Sequence, residues 1–429
     1  MDQPKPPPEN ASSSNFFDRQ FFANLGPGLI TGAADDDPSG ISTYSVTGAQ
    51  FGLAPLWTAL FSFPLMSAVQ LMCARLGMVT GRGLAGVIRR RYPRWVLWSS
   101  CGILLIANVF NIGADLGGMG DALQMMTGIS SYFWGPLIAI AIVACLIMLS
   151  YRRLAQIFKW LTLVLFAYVV TAFLARPDWR EVLHSTLVPR MIWSREYISV
   201  LVGILGTTIS PYLFFWQASQ EVEEEREQGR HSVTQRRGST PEEMKRVTSD
   251  VLTGMFFSNF VMYFIILTTA TTLHAHGITH IETARQAAEA LRPLAGEQAY
   301  LLFTLGLFGT GVLAVPVLAG SSAYAVAESA AWAASLGTPP RRVRKFYAVL
   351  AVAVLVGIGL EYIGLNAVQM LFYSAVLNGI LAPPLIVLVV LLTSDPSVMG
   401  EWVNPPWMRI LGWFTAALMT LAALALLVT

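Results

Sequence analysis

The chain has 429 residues, of which 54% are hydrophobic and 13% are charged. Soluble domains carry roughly 25% charged residues, so this composition excludes an ordinary soluble domain and indicates a polytopic membrane protein. The net charge of +2 gives no reason to expect a nucleic-acid partner. The three cysteines, Cys73, Cys101 and Cys145, lie in apolar runs without the spacing of a disulfide framework or a zinc site.

Apolar runs of about 20 residues, the length that crosses a bilayer as a helix, recur along the chain. They predict eleven spans, at residues 27–49, 53–78, 96–126, 133–150, 159–175, 198–219, 250–273, 298–330, 344–363, 366–392 and 407–428. Residues 1–20 are polar and rich in Pro and Ser, and we expect a disordered cytoplasmic tail there rather than a cleaved signal peptide.

The distribution of positive charge predicts the orientation. Of the 28 Lys and Arg residues, 22 fall in segments on the side of the N-terminus. Positive residues concentrate on the cytoplasmic side, so we expect the N-terminus inside and the C-terminus outside, in a bacterial inner (plasma) membrane. The charged cytoplasmic segment 220–249 is expected to be helical at its ends and a solvated linker elsewhere. Of the outer loops, 176–197 and 274–297, the second contains the pattern of a short amphipathic helix.

The first span contains a break in its own pattern, "GAADDDPSGIS", where three carboxylates precede a proline and a glycine. A proline inside a helix removes a hydrogen bond and clashes with the preceding turn, so we expect the helix to be interrupted near 37–40. Backbone freed at membrane depth is tolerated only where it is buried in protein or lines a cavity. The sixth span has a similar break, at Pro211 after the polar residues Thr207, Thr208 and Ser210.

Two interrupted spans, five spans apart, are typical of inverted five-helix repeats with a substrate site at the breaks. The expected fold is therefore an all-α polytopic membrane protein. Its expected parts are a first repeat at 21–175, an outer loop at 176–197, a second repeat at 198–392, and a loop with the eleventh span at 393–429.

The acidic run itself points to a cation. A carboxylate inside the membrane is a functional-site hypothesis by default. Adjacent helical residues cannot share one face, so we expect Asp35, Asp36 and Asp37 to converge from an unwound segment, with Asp37 as the central ligand. Backbone carbonyls near Ala34 and Thr207 would add oxygens. The alternative is that Asp35 or Asp36 caps a half-helix or lines a water-filled vestibule.

Other polar residues are weaker candidates for the pathway. Gln217 and Glu221 recur at helical spacing in span six and are candidates for a cytoplasmic exit, whereas Glu223, Glu224 and Glu225 fit a solvated helix end better. Asp115 in span three is a candidate to attract the ion or to relay protons. Glu328 has two equal interpretations, a pathway residue or an ion pair with the basic cluster 341–345. No nucleophile or phosphate-binding loop is present, so we expect no enzymatic activity and no cofactor.

Three segments of the chain read "GPGLITGAADDDPSGISTYSVTGAQFG", "ARLGMVTGRGLA" and "TSDPSVMGEWVNPPWMRILGW". They resemble the Nramp family of proton-coupled divalent-metal transporters, and the resemblance extends from Gly26 to the C-terminus. It implies a LeuT-type fold with ten core spans and an eleventh. The family motif Asp-Pro-Gly-Asn corresponds to Asp37, Pro38, Ser39 and Gly40 here.

The departures from the family bear on the substrate. Where the family usually has Met-Pro-His in span six, this chain has Ser210, Pro211 and Tyr212. In span three the family has a Glu three residues after the position of Asp115, and this chain has Gly118 there. The family's polar Gln in span ten falls near Ser374, with Asn378 one turn further on. Loss of the thioether makes the site harder, and hard oxygen sites favour Mg²⁺, Ca²⁺ and Mn²⁺.

The resemblance with these departures implies a secondary transporter of Mg²⁺ or Mn²⁺ that works by alternating access. Ser39, Gly40 and Ser210 would leave room for a partly hydrated ion, and proton coupling is open because the usual His and Glu are missing. A broad Mn²⁺/Fe²⁺ proton symporter, an Al³⁺ transporter and an ion-coupled carrier of an organic solute are the alternatives. The expected partners are the metal-ion substrate and the lipid bilayer, with the protein working as a monomer.

Overall fold

The computed structural model describes residues 26–148, 163–362 and 366–428, and in these residues it is helical, with no strand. The helices of eight or more residues are α1 (Pro27–Asp35), α2 (Pro38–Phe51), α3 (Trp57–Thr80), α4 (Leu84–Arg91), α5 (Arg94–Thr127), α6 (Ser131–Met148), α7 (Phe166–Leu174), α8 (Trp179–Leu187), α9 (Arg195–Thr208), α10 (Pro211–Glu227), α11 (Pro241–Thr272), α12 (Ala299–Ser329), α13 (Arg344–Glu361), α14 (Ala367–Thr393) and α15 (Pro406–Val428).

The helices match the predicted spans. In the described part of the chain, eight helical segments are long and apolar enough to cross a membrane. The other three predicted spans are the first, which is split into α1 and α2, the fifth, described from Leu163 to Leu174, and the ninth, which is α13. The predicted tail 1–20 and parts of spans four and five lie outside the described residues.

The two prolines define the breaks in spans one and six. Pro38 is the first residue of α2 and Pro211 is the first residue of α10. Proline suits this position because the N–H it lacks would have no helical partner there, and it pushes the residue before it into extended backbone. The residues before the prolines have ψ angles of 172° (Asp37) and 135° (Ser210). The interruption is therefore at 36–37, and the prediction that it reaches Gly40 is wrong.

Glycines allow the broken spans to pack closely against unbroken helices. A Cβ on Gly32 of α1 would lie 2.2 Å from the carbonyl oxygen of Gly254 in α11. A Cβ on Gly206 of α9 would lie 2.0 Å from the carbonyl oxygen of Ala375 in α14. Small residues at such contacts let helix backbones approach each other in membranes. These two contacts hold the half-helices that flank the breaks against the rest of the bundle.

We expect Gly32→Ala to destabilise the protein, because the neighbour that it meets is backbone and cannot move aside. Overpacking of this kind costs about 1–3 kcal/mol. The change should appear as a lower midpoint of thermal unfolding for the protein in detergent. Gly102→Ala in α5 is the matched control, since a Cβ there meets nothing within 4 Å. An equal midpoint for the two variants would contradict the close approach of α1 and α11.

The charged segment 220–249 is more ordered than predicted. Its ends are helical as expected, but a short helix, Val233–Arg236, lies between them. The Arg236 side chain is buried and its Nη1 donates to the carbonyl oxygens of Arg230 and His231. The Gly238 N–H donates to the Val79 carbonyl oxygen at the end of α3. The middle of the segment is mostly exposed to solvent, as predicted, but it is folded rather than loose, because these carbonyls supply partners for the buried Arg236 guanidinium.

Candidate cation-binding site

The carboxylate of Asp37 is held at the start of α2 by three donors. Its Oδ1 accepts hydrogen bonds from the Ser39 hydroxyl (2.6 Å) and from the Gly40 N–H (2.7 Å). Its Oδ2 accepts a hydrogen bond of 2.8 Å from the side-chain amide of Asn111 in α5. Asp37 therefore caps α2 and also joins the break in span one to the third span.

Asp35 and Asp36 face a different neighbour from Asp37. Asp35 is the last residue of α1, and its Oδ2 accepts a hydrogen bond from the Ser258 hydroxyl of α11. The same hydroxyl lies 3.4 Å from Asp36 Oδ1. Within the described residues, no group of three or more His, Cys, Asp or Glu side chains is placed to hold a metal ion. The expectation that the three carboxylates converge is therefore wrong, because Asp35 ends a helix while Asp37 begins one.

The break in span six lies beside the break in span one. The Tyr212 hydroxyl donates to the Ala34 carbonyl oxygen at 3.0 Å, so α10 contacts the last turn of α1. The Ser210 hydroxyl donates to the carbonyl oxygens of Gly206 and Thr207, both at 2.8 Å. Two backbone oxygens named as candidate ligands, those of Ala34 and Thr207, thus each have a protein partner here.

Two predicted residues, Ser374 and Asn378, lie on α14, which packs against α9. Both side chains are buried. The neighbouring Gly379 is so close to α9 that a Cβ added to it would lie 2.4 Å from the Val202 carbonyl oxygen. The Ser374 hydroxyl donates to the Leu371 carbonyl oxygen, whereas both polar atoms of the Asn378 amide have no partner among the described residues. Gly40 lies next to α9 as well, since a Cβ there would lie 3.1 Å from Thr207 Oγ1.

Asp115 lies in α5, one turn after Asn111, and is fully buried. By geometry neither of its carboxylate oxygens forms a hydrogen bond among the described residues, although the Ser39 N–H of α2 is close enough to interact with the carboxylate. It is close enough to Asp37 for the two negative charges to repel each other. Gly118, at the position of the family's Glu, packs against α14, where a Cβ would lie 2.8 Å from Leu371 Cδ1. A larger side chain at position 118 would therefore require the Leu371 side chain to move aside.

The predicted cytoplasmic-side residues of α10 are buried and paired. The Gln217 amide donates to Glu221 Oε1 at 2.8 Å, and both side chains are buried. Glu225 is also buried and Glu223 nearly so, so the interpretation of 223–225 as a solvated helix end is wrong for these two. Each has an arginine partner, Arg230 for Glu225 and Arg226 for Glu223, which offsets the cost of burial.

Glu328 is neither paired with the basic cluster 341–345 nor placed at the break in span one. Its Oε2 accepts a hydrogen bond of 2.9 Å from the Gly86 N–H in the first turn of α4. Its Oε1 lies 3.4 Å from the Ser219 hydroxyl of α10. A carboxylate at the start of a helix satisfies free N–H groups and interacts favourably with the helix dipole, so Glu328 joins three helices.

The main electrostatic feature of the site is an excess of buried negative charge. Asp35, Asp36, Asp37 and Asp115 are each at most 4% exposed. In the described part of the chain, none of them forms an ion pair with Lys, Arg or His. Burying an isolated carboxylate is costly unless a proton, a metal ion or another cation compensates the charge. The arrangement therefore fits a cation.

Two residues next to these carboxylates were missed by the sequence analysis. Asn111 precedes Asp115 by four residues, so it lies on the same face of α5, and this spacing was a usable signal. Ser258 lies in the apolar stretch "FFSNFV" of α11, where a single hydroxyl gives no such signal.

An all-helical bundle with two adjoining broken spans and a buried polar site at the breaks defines a membrane transporter of the LeuT type. Solved transporters share this architecture. A manganese transporter from Eremococcus coleocola superimposes with a TM-score of 0.71 over 97% of this chain and 88% of its own, at 20% identity. MhsT in complex with L-phenylalanine gives a TM-score of 0.65 over 94% of this chain and 98% of its own, at 11% identity. Likenesses at these identities show the fold alone.

The family follows from the sequence. The family model described as natural resistance-associated macrophage protein-like (Nramp) matches residues 28–429. The chain belongs to this family of membrane transporters and is not an enzyme. A divalent metal cation transporter, MntH, from Mesorhizobium japonicum is 28% identical over 420 residues, which cover 95% of this chain and 88% of that protein.

Proposed function

We propose that this protein carries a hard divalent cation, Mg²⁺ or Mn²⁺, across the membrane by alternating access. The observation that carries the proposal is the set of buried carboxylates around the broken spans, with no basic partner among the described residues. A divalent cation is the natural counter-charge for two neighbouring carboxylates such as Asp37 and Asp115. The names of the related proteins, a divalent metal cation transporter and a manganese transporter, support a divalent substrate.

The choice of a hard ion rests on the donor atoms. The side chains at the two breaks offer carboxylate, hydroxyl and amide groups, and Ser210 occupies the position where the family has Met. Carboxylate, carbonyl and water ligands favour Mg²⁺ and Mn²⁺, whereas thioether and thiolate favour softer ions. Magnesium keeps several of its waters when it binds to protein, which fits the small side chains of Ser39 and Ser210.

Movement of the substrate would follow the two repeats, 21–175 and 198–392, rocking around the breaks. The proposed orientation has the N-terminus in the cytoplasm, the C-terminus outside, and the protein in the bacterial inner membrane as a monomer. Gln217 and Glu221 are buried in α10, on the cytoplasmic side of Pro211 in this orientation. They would be the next polar side chains that the ion contacts on its way to the cytoplasm.

We expect transport without tight proton coupling. The usual His and Glu of the family's proton route are Tyr212 and Gly118, and neither accepts a proton near neutral pH. Liposomes that contain the purified protein and a pH-sensitive dye should take up the cation down its concentration gradient. The lumen should not acidify in proportion to the cation that enters. Acidification in fixed proportion to the cation would contradict this expectation and favour a proton symporter.

Uptake of Mg²⁺, Mn²⁺ and Cd²⁺ by the same proteoliposomes, compared side by side with protein-free liposomes, tests the proposal. We expect uptake of Mg²⁺ or Mn²⁺ and weaker uptake of Cd²⁺. A preference for Cd²⁺ would contradict the hard-ion assignment. Absence of uptake of all three ions would overturn the divalent assignment and favour Al³⁺ or an organic solute.

A further inference from the structure

The third span carries a row of polar side chains with oxygens that lack partners. Asn108, Asn111 and Asp115 are spaced three and four residues apart, so they lie on one face of α5, and all three are fully buried. The side-chain oxygens of both asparagines and both oxygens of Asp115 have no hydrogen-bond partner in the described part of the chain. Buried polar atoms are nearly always paired, so oxygens without partners on one face call for an explanation.

The hydrogen bonds of the two asparagines orient their free oxygens. The two N–H groups of the Asn108 amide are shared among three acceptors in α12 at 2.8–2.9 Å, the Leu318 carbonyl oxygen and the hydroxyls of Ser321 and Ser322. The Asn111 amide group donates to Asp37 Oδ2. Each nitrogen is engaged and each oxygen remains available as an acceptor. Only a cation or a donor such as water can satisfy these oxygens.

The hydrogen bonds of Asp37 restrict where a cation can bind. A carboxylate offers about four lone-pair sites, two on each oxygen. Oδ1 accepts two hydrogen bonds, from Ser39 and Gly40, and is therefore fully used. Oδ2 accepts only one, from Asn111, so the remaining lone pair lies on the oxygen that faces α5. A cation bound by Asp37 would consequently be placed next to the third span.

We propose that the third span completes the cation site, with Asn111 Oδ1 and the Asp115 carboxylate binding the transported ion, directly or through its waters, together with Asp37 Oδ2. This inference rests on the proposed function and extends its set of ligands from the two breaks to α5. The site then contains two carboxylates, whose combined charge matches that of a divalent ion. Asn108, about 5 Å further along the helix axis, lies on the cytoplasmic side of this site in the proposed orientation.

Exchange of these oxygens for sulfur distinguishes a ligand from a side chain that only positions Asp37. Thiolates favour soft ions such as Cd²⁺, so a cysteine that contacts the ion should change its selectivity. We expect Asn111→Cys and Asp115→Cys to raise the ratio of Cd²⁺ to Mn²⁺ transport efficiency by at least about tenfold in proteoliposomes. Asp121→Cys is the matched control, because Asp121 lies on α5 but accepts a hydrogen bond from the Ala284 N–H instead.

The outcomes separate this inference from the proposed function. An increase in Cd²⁺ selectivity at positions 111 and 115, and not at 121, supports ligation from the third span. Unchanged selectivity at both positions, while Asp37→Asn still loses Mn²⁺ uptake, overturns this inference and leaves the proposed function intact. A cysteine variant that loses uptake of both ions gives no selectivity. In that case the KM of Asp115→Asn for Mn²⁺ decides, and a KM equal to that of the unmodified protein counts against ligation. Absence of Mn²⁺ and Mg²⁺ uptake by the unmodified protein overturns both.

Discussion

Asp37→Asn is expected to lower the efficiency of cation uptake by at least about 100-fold. Removing a residue that only hydrogen-bonds to a metal ligand already costs up to about 100-fold, and Asp37 is proposed as a ligand itself. The amide keeps the size of the side chain and one oxygen, so it can still accept the hydrogen bonds from Ser39 and Gly40 at the start of α2. It removes the negative charge that would bind the ion. Initial rates of Mn²⁺ and Mg²⁺ uptake into proteoliposomes, measured over a range of concentrations, give the effect.

The control for this variant is Asp121→Asn, which removes one carboxylate charge from α5 away from the breaks. We expect its uptake to stay within about twofold of the unmodified protein, as surface and near-surface substitutions usually have small effects. The thermal midpoints of both variants should also be compared, since a folding defect in Asp37→Asn would lower uptake for another reason. A stable Asp37→Asn variant with normal uptake would remove Asp37 from the site.

Ser210→Met is expected to shift the ion preference towards Cd²⁺, by at least about tenfold relative to Mg²⁺, because a thioether favours soft ions. Ser210 is buried between α9 and α10, where its hydroxyl donates hydrogen bonds to the carbonyl oxygens of Gly206 and Thr207. Methionine cannot donate to these carbonyls, so part of the effect would come from a change in the backbone at the break. Competition between Cd²⁺ and Mg²⁺ for uptake measures the shift.

Ser210→Leu separates these two effects, because leucine is about as large as methionine and has no sulfur. We expect Ser210→Leu to transport both ions more weakly and without the gain for Cd²⁺. Equal shifts in the methionine and leucine variants would mean that the size of the side chain, and not its softness, determines the preference. In that case Ser210 would be removed from the ligand set.

The breaks in the spans were predictable because proline has a local and general effect on the helix. Pro38 and Pro211 each begin a new helix, and the residue before each proline is extended, as sterics require. The eight helices that are long and apolar enough to cross a membrane were predictable for a similar reason, since a stretch of about 20 apolar residues has few alternatives to a transmembrane helix. These features depend on neighbours within the same segment.

The direction of each side chain at the site was not predictable in this way. Asp35, Asp36 and Asp37 are adjacent in sequence, but Asp35 faces Ser258 of α11 while Asp37 faces Asn111 of α5. That division depends on how α1, α5 and α11 pack, which no pattern within the first span encodes. The segment 220–249 shows the same limit, because its order depends on carbonyls such as that of Val79, far away in the sequence.

The proposed function requires a divalent cation to bind at the break in span one, in contact with Asp37. The most direct test is an experimental structure of the protein with Mn²⁺, in which anomalous scattering locates the ion. We expect a peak beside Asp37 Oδ2, in contact with it directly or through one water, on the side that faces Asn111 and Asp115. A peak elsewhere, with both Asp37 oxygens accepting hydrogen bonds only from Ser39, Gly40 and Asn111, would contradict cation binding by Asp37.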